Sequence, residues 1–373
     1  MNKRQLILGL VVLAALIGLA IYAQHRYPID WREVLGQLER ARWRDLGIGI
    51  ACIYAAFALR SARWARLLKH HQKVPALSLV GTQVMGFTAI ALIGRVADPV
   101  RPYLVSKKTG LPLSSQFAVY IVERLFDAGS MALIFSIGML GFSQDEVLRA
   151  TGHSKIVTSL GQHSPELAAL FARYGGLLLT VAGALFLVAV RLSGPAIAVF
   201  CERTLGLLSK KLGAAVGEKI RTFHSGLDTM RTLGEFGATT GLSLAMWVLI
   251  ACAYLSTCKA FIGTPLADMT PSQCVLLMIV SGVSSVVQLP IVGWFTQIGL
   301  VTIAISNFFG VTREASVACA TALLLVTFLA VIPVGLIWAQ FEHISFRKIT
   351  HESEAAEHVV APDPVPSPNT ESL

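Results

Sequence analysis

The chain is 373 residues long, 54% hydrophobic and only 14% charged, with a formal net charge of +9. A soluble domain usually carries about 25% charged residues, and the mean hydropathy here is +0.65. Apolar residues come in blocks of the ~17–25 that a helix needs to cross a bilayer core, which excludes collagen, coiled coil and a disordered chain. The composition describes an all-α, polytopic helical membrane protein.

Residues 1–23 begin with Lys3 and Arg4 and continue as an apolar run with no clean small-x-small cleavage site. They read as a retained first span with a cytoplasmic N-terminus, not a signal peptide. Further apolar blocks lie at 46–62, 76–94, 117–140, 174–192, 238–258, 274–309 and 315–341. Lys and Arg in the connections set the topology by the positive-inside rule. Residues 60–75 carry five and 191–236 carry seven, so both belong to the cytoplasm, whereas 143–173 and 259–273 are poor in them and belong outside.

A full crossing by 76–94 would put the basic 191–236 connection on the wrong side. The conflict disappears if 76–94 enters and returns as a re-entrant hairpin. Block 274–309, broken by Pro290 and Gly293, must likewise return to its own side if the C-terminus is cytoplasmic. The count becomes six full spans and two hairpins opening to opposite faces, an arrangement that fits an inverted repeat. Kinked full spans, eight in all, are the alternative.

One membrane domain thus covers 1–349, with extracytoplasmic loops at 24–45 and 143–173. Within 193–236, Leu205, Leu208, Leu212, Val216, Ile220, Phe223, Leu227 and Met230 recur at helical spacing among lysines and arginines. This is an amphipathic cytoplasmic helix or pair, lying on the anionic leaflet or on the protein's own inner face. Residues 350–373, acidic and Pro-rich with no Lys or Arg, form a tail that cannot bury a core. The six cysteines have no CxxC spacing and read as small hydrophobes.

Chemistry-bearing residues fall in three places. The segment 94–104, GRVADPVRPYL, sets Arg95, Asp98 and Arg101 at three-residue intervals, a shared face if the segment is helical. Guanidinium forks suit phosphate or carboxylate; a positive-inside loop is the plainer reading. The block 117–140 then carries Glu123, Arg124 and Asp127 in an apolar span, where charges must be paired or face a cavity. Arg95, Arg101 and Arg124 balance Asp98, Glu123 and Asp127, so the six read as one neutral buried cluster, structural, functional or both. Third, SSVVQLPIVGWFTQIG at 284–299 brings Gln288, Pro290, Gly293 and Gln297 to membrane depth, as a head-group contact or a kinked helix packing site. No metal, cofactor or catalytic motif is present, and the basic residues follow no nucleic-acid pattern.

Three stretches resemble the transmembrane region of lysylphosphatidylglycerol synthase and its flippase-like relatives. They are RSARWARLLK at 60–69, GRVADPVRPYLVSKKTGLPLSSQFAVYIVERLFD at 94–127, and SSVVQLPIVGWFTQIGLVTIAISNFFGVTREAS at 284–316. Where the family has Gly-Glu after the first Arg of the central signature, this chain has Ala97-Asp98. The second signature has Ile291, Val292 and Gln297 in place of further glycines and an acid. Full synthases carry a soluble aminoacyl-transferase domain after this region, so lysyl transfer is not expected.

The resemblance implies an inner-membrane protein that binds and translocates a phospholipid or lipid-linked glycan between leaflets. Arg95 and Arg101 would hold the phosphate, and Asp98, Glu123 and Asp127 would balance charge and meet any cationic part of the head group. Alternatives are a membrane-embedded transferase or hydrolase using Glu123 or Asp127 as base, and a non-transporting partner of a separate lipid-modifying enzyme.

Overall fold

The computed structural model describes residues 29–141, 232–284 and 292–342, with scattered helical positions between 174 and 204. The sequence-derived first span, the loop 143–173, the amphipathic stretch 205–231 and the tail lie outside the described residues. Within them every regular element is helical. The supposed loop 24–45 contains helix α1, Trp31–Arg40, because the Asp30 carboxylate accepts the backbone N–H groups of Arg32 and Glu33 and so caps it. Only Val34 of α1 is buried, as befits a surface helix.

Helix α2, Trp43–Leu68, and helix α6, Leu233–Lys259, form the spine. They run antiparallel along their full length. The Arg42 backbone N–H donates to the Ala260 carbonyl at 2.9 Å, the Ser256 hydroxyl to the Asp45 carbonyl at 2.6 Å, and Arg63 to the Ser243 hydroxyl at 2.7 Å. Lys69 and His70 meet Glu235 at the far end. That end, which also holds Lys73, Lys107 and Lys108, is called the basic end; the other mixes Arg42 and Lys259 with Asp45 and Asp268.

Two pairs of helices reverse direction. A 3-10 turn, Ala76–Leu79, leads from the basic end into α3, Val80–Ile93. Gly94 then takes φ 90°, a conformation glycine adopts without strain, and α3 stops there. After a turn at Arg95–Ala97, helix α4, Val100–Thr109, runs back beside α3. Arg101 reaches Gln83, and Val105 shares a core with Leu79. Pro102 falls in the first turn of α4, where a missing N–H costs nothing. Helix α5, Leu113–Leu140, then crosses to the mixed-charge end, where Gly141 lies against Ser272.

Helix α7, Pro271–Ser284, starts at that end, and α8, Val292–Phe309, returns to it. The amide of Gln297 donates to the Ser281 hydroxyl at 2.9 Å across the pair. Residues 285–291 between them, Gln288 and Pro290 included, lie outside the described residues. The Trp294 indole N–H donates to the Ala91 carbonyl at 3.2 Å, so the inner ends of the two hairpins touch. The final crossing is α9, Arg313–Leu324, a π-turn at Leu325–Leu329, and α10, Val331–Phe341. Helix α9 packs on α8 and α1, and α10 on α3.

The order long helix, hairpin, long helix therefore occurs twice. Matching elements start at Trp43 and Leu233, at Ala76 and Pro271, and at Leu113 and Arg313. The first set begins at the mixed-charge end and the second at the basic end, which is an inverted repeat. The chain is an all-α polytopic membrane protein, as its composition requires.

Candidate functional site: a buried cluster of guanidinium and carboxylate groups

Helix α5 carries Glu123 and Asp127 ten and fourteen residues from its start, or ~15 and ~21 Å along a 28-residue rod of ~42 Å. Both carboxylates are buried, at its middle. Spaced four apart they face one way, and like charges so placed need cations between them. Arg63 of α2 supplies one. Its Nη1 donates to Asp127 Oδ1 at 2.6 Å, and its Nη2 lies 3.2 Å from Glu123 Oε1. Arg124 spans the same two acids, at 2.5 Å from Glu123 and 2.8 Å from Asp127. Arg101 of α4 gives Nη2 to Glu123 at 2.7 Å, and its Nε and Nη2 grip the Gln83 carbonyl oxygen at 3.1 and 2.7 Å. One carboxylate oxygen, Glu123 Oε1, thus joins three arginines.

A fourth guanidinium, Arg60, completes the group without an ion pair among the described residues. Its Nε lies 3.3 Å from Met246 Sδ, and its centre is 4.4 Å from the Phe87 ring. The same ring lies 4.7 Å from Arg101, and Tyr120 lies 5.7 Å from Arg101 and 5.2 Å from Arg124. Cation–π attraction partly replaces the lost hydration of these groups. Gly86 makes room for the stem of Arg101, since a β-carbon there would overlap its Cγ.

The arrangement corrects the sequence reading in three ways. Arg60 and Arg63, assigned to a basic connection, belong to α2 and are buried. No Pro occurs between 44 and 68 and no Gly after Gly49, so the helix has no reason to stop before them. Arg95, Asp98 and Arg101 do not share a helix face. The 3-10 turn and Pro99 separate the first two from α4, leaving Asp98 half-buried and Arg101 fully buried; the Arg95 side chain lies outside the described residues. Last, the cluster is not neutral. Among the described residues Arg60, Arg63 and Arg101 are buried beside Glu123 and Asp127, an excess of one positive charge, and Arg124, 38% exposed, pairs with the same two acids.

Gln297 belongs to a different set. It joins Ser281, which also accepts the Tyr254 hydroxyl at 2.7 Å. Gly293 is buried at the start of α8. On α5, Met131, one turn beyond Asp127, lies against Gly282 of α7. The sequence missed Gln83, Phe87 and Ser243, which carry no charge to mark them.

Replacing Arg63 with Lys tests the lattice directly. A single ammonium cannot reach Asp127, Glu123 and Ser243 together, and each hydrogen bond lost from a charged group is worth about 1.5–3 kcal/mol. The variant is expected to melt well below wild type in detergent; an unchanged melting temperature would mean Arg63 does not hold α2 to α5.

Opposed hairpins around a buried charged centre define a polytopic helical membrane protein with an internal polar site. The profile described as the Lysylphosphatidylglycerol synthase TM region matches residues 6–335, and the chain belongs to that family. No curated protein and no solved structure matches it.

Proposed function

We propose that the protein binds a phospholipid or lipid-linked molecule through its phosphate and carries it between the leaflets of the inner membrane. The observation that carries this reading is the surplus of buried donors. Among the described residues Arg63 Nε, Arg101 Nη1, Arg124 Nε and Gln83 Nε2 are buried donors with no hydrogen-bond partner, against two such carboxylate oxygens, Glu123 Oε2 and Asp127 Oδ2, the latter ion-paired with Arg124. Buried polar groups are almost always paired, and unpaired guanidinium donors within one cluster suit an anion. Membership of a lipid-related membrane family supports the lipid part. Both carboxylates are engaged by arginines, which favours charge balancing over service as a catalytic base. The basic end is taken as cytoplasmic, with both termini on that side. The hairpins, one opening to each face, would give the site alternating access.

The test is leaflet-resolved movement of head-group-labelled lipids in proteoliposomes, comparing wild type with Arg101→Gln and Asp127→Asn at matched reconstitution. Wild type is expected to exceed empty liposomes at least tenfold, with both variants near background. If wild type matches empty liposomes for glycerophospholipids and for polyprenyl-linked lipids alike, translocation is the wrong function.

A further inference from the structure

We infer that Arg60 is the residue that contacts the lipid phosphate, and that Arg63, Arg101 and Arg124 are its positioning residues. The inference rests on the lipid-binding reading above and assigns the contact that reading needs. Three of the four guanidinium groups are already engaged. Arg63 and Arg124 each bridge Glu123 and Asp127, and Arg101 is held by Glu123 and Gln83. Arg60 is not. It forms no ion pair among the described residues, so the free oxygens of the two acids, Glu123 Oε2 and Asp127 Oδ2, do not serve it. Its one hydrogen bond among those residues runs from Nε to the sulfur of Met246, a weak acceptor, and leaves both Nη groups without an acceptor.

Such a group is costly to keep. Arg60 is only 7% exposed, and burying a charge without a partner is unfavourable. The Phe87 ring, 4.4 Å from its centre, offsets part of that cost and uses up no N–H. Stability alone would favour an apolar residue at this position, so the charge points to a ligand, and a planar fork of free donors suits a phosphate. Position agrees with this. Gln83, Phe87 and Ala91 stand at successive turns of α3. The first holds Arg101 of the ion-pair lattice, the second meets Arg60, and the third meets Trp294 of the second hairpin. Arg60 therefore lies between the lattice and the junction of the two hairpins, where a group reached in turn from either face has to lie.

The experiment reads binding and stability together, on the full-length protein in nonionic detergent micelles. Short-chain phosphatidylglycerol, the diacylglycerol with the same tails, and inorganic phosphate are titrated into wild type, Arg60→Gln, Arg60→Lys and Arg66→Gln. Arg66, exposed on the same helix, controls for the change in net charge. Wild type is expected to bind phosphatidylglycerol at least about tenfold more tightly than the other two ligands, the effect of hydrogen bonds to a charged group. The lipid should also raise its melting temperature, as any ligand of the folded state does. Arg60→Gln should lose both the preference and the shift. Without lipid it should melt at or above the wild-type temperature, since it removes an unpaired charge and none of the ion pairs. Arg60→Lys, which keeps the charge and loses the fork, should retain part of the preference, and Arg66→Gln all of it.

An Arg60→Gln protein that still prefers the phospholipid overturns the inference. So does one that melts well below wild type without lipid, since Arg60 would then belong to the lattice. Inorganic phosphate binding as tightly as the lipid overturns it too, because the site would take free anion and not a head group. Wild type with no preference for phosphatidylglycerol over diacylglycerol removes the phosphate reading itself, and the inference with it. Binding through Arg60 without transbilayer movement leaves the inference standing and removes translocation alone.

Discussion

Glu123→Gln is expected to be the most damaging single substitution in the protein. The Glu123 Oε1 atom lies between Arg63, Arg101 and Arg124, which come from α2, α4 and α5. Neutralising it adds one positive charge to the buried excess and leaves a neutral amide oxygen where three guanidinium groups had met a carboxylate. Removing one partner of a buried ion pair typically costs about 3–5 kcal/mol, a large part of the stability of an ordinary domain. The protein should be recovered in low yield and melt early in detergent, as read by fluorescence-detected size exclusion after heating. Glu123→Asp, which keeps the charge on a shorter stem, should recover part of the loss. A Gln variant as stable as wild type would show that the arginines find other acceptors and that the lattice does not hold the helices.

Gly335→Val should be nearly as harmful for a reason that involves no charge. A β-carbon at Gly335 would fall on the hydroxyl of Thr88, and one at Gly81 on the Trp338 indole. Helices α3 and α10 therefore touch backbone to side chain along a seam set by small residues, as membrane helices do when close packing replaces the hydrophobic drive. Thr88 also donates to the Val84 carbonyl at 2.9 Å and to the Val331 carbonyl at 3.3 Å. Overpacking such a contact costs about 1–3 kcal/mol, and here it would push the first hairpin off its support. Thr88→Ala in the same chain removes the clashing hydroxyl and should restore part of the melting temperature. No rescue by the second change would mean the damage arises elsewhere along α10.

Much of this was legible in the residues, and the failures have physical causes. Long apolar blocks gave the membrane class because hydropathy needs no tertiary information. The reversals at Gly94 and between α7 and α8 followed from a charge-placement conflict, since burying Lys and Arg on the wrong side of a membrane is a global constraint that local propensity does not contain. Glu123 and Asp127 announced themselves as acids inside an apolar helix. Arg60 and Arg63 were hidden by their neighbours. With Arg66, Lys69 and Lys73 following, they looked like the start of a cytoplasmic connection, although the helix runs unbroken to Leu68. Neutrality of the cluster was inferred from the residues of one stretch, and the two missing cations came from a helix more than thirty residues upstream. Gln83 and Phe87 shape the site through position alone, and no spacing in the sequence marks an uncharged residue for that duty.

The π-turn between α9 and α10 has a mechanical meaning. Upstream of it, α9 packs on α8 of the second hairpin; downstream, α10 packs on α3 of the first. The join itself is soft in the helical sense. Its backbone is underwound at Leu325–Leu329, Pro333 has no N–H to stiffen the next turn, and the Ala330 carbonyl accepts the Tyr54 hydroxyl at 2.9 Å. The boundary between the supports of the two hairpins therefore runs through a single rod and not between two rods. The alternating access proposed above, if it rotates one hairpin relative to the other, would load that rod in torsion at Leu325–Leu329.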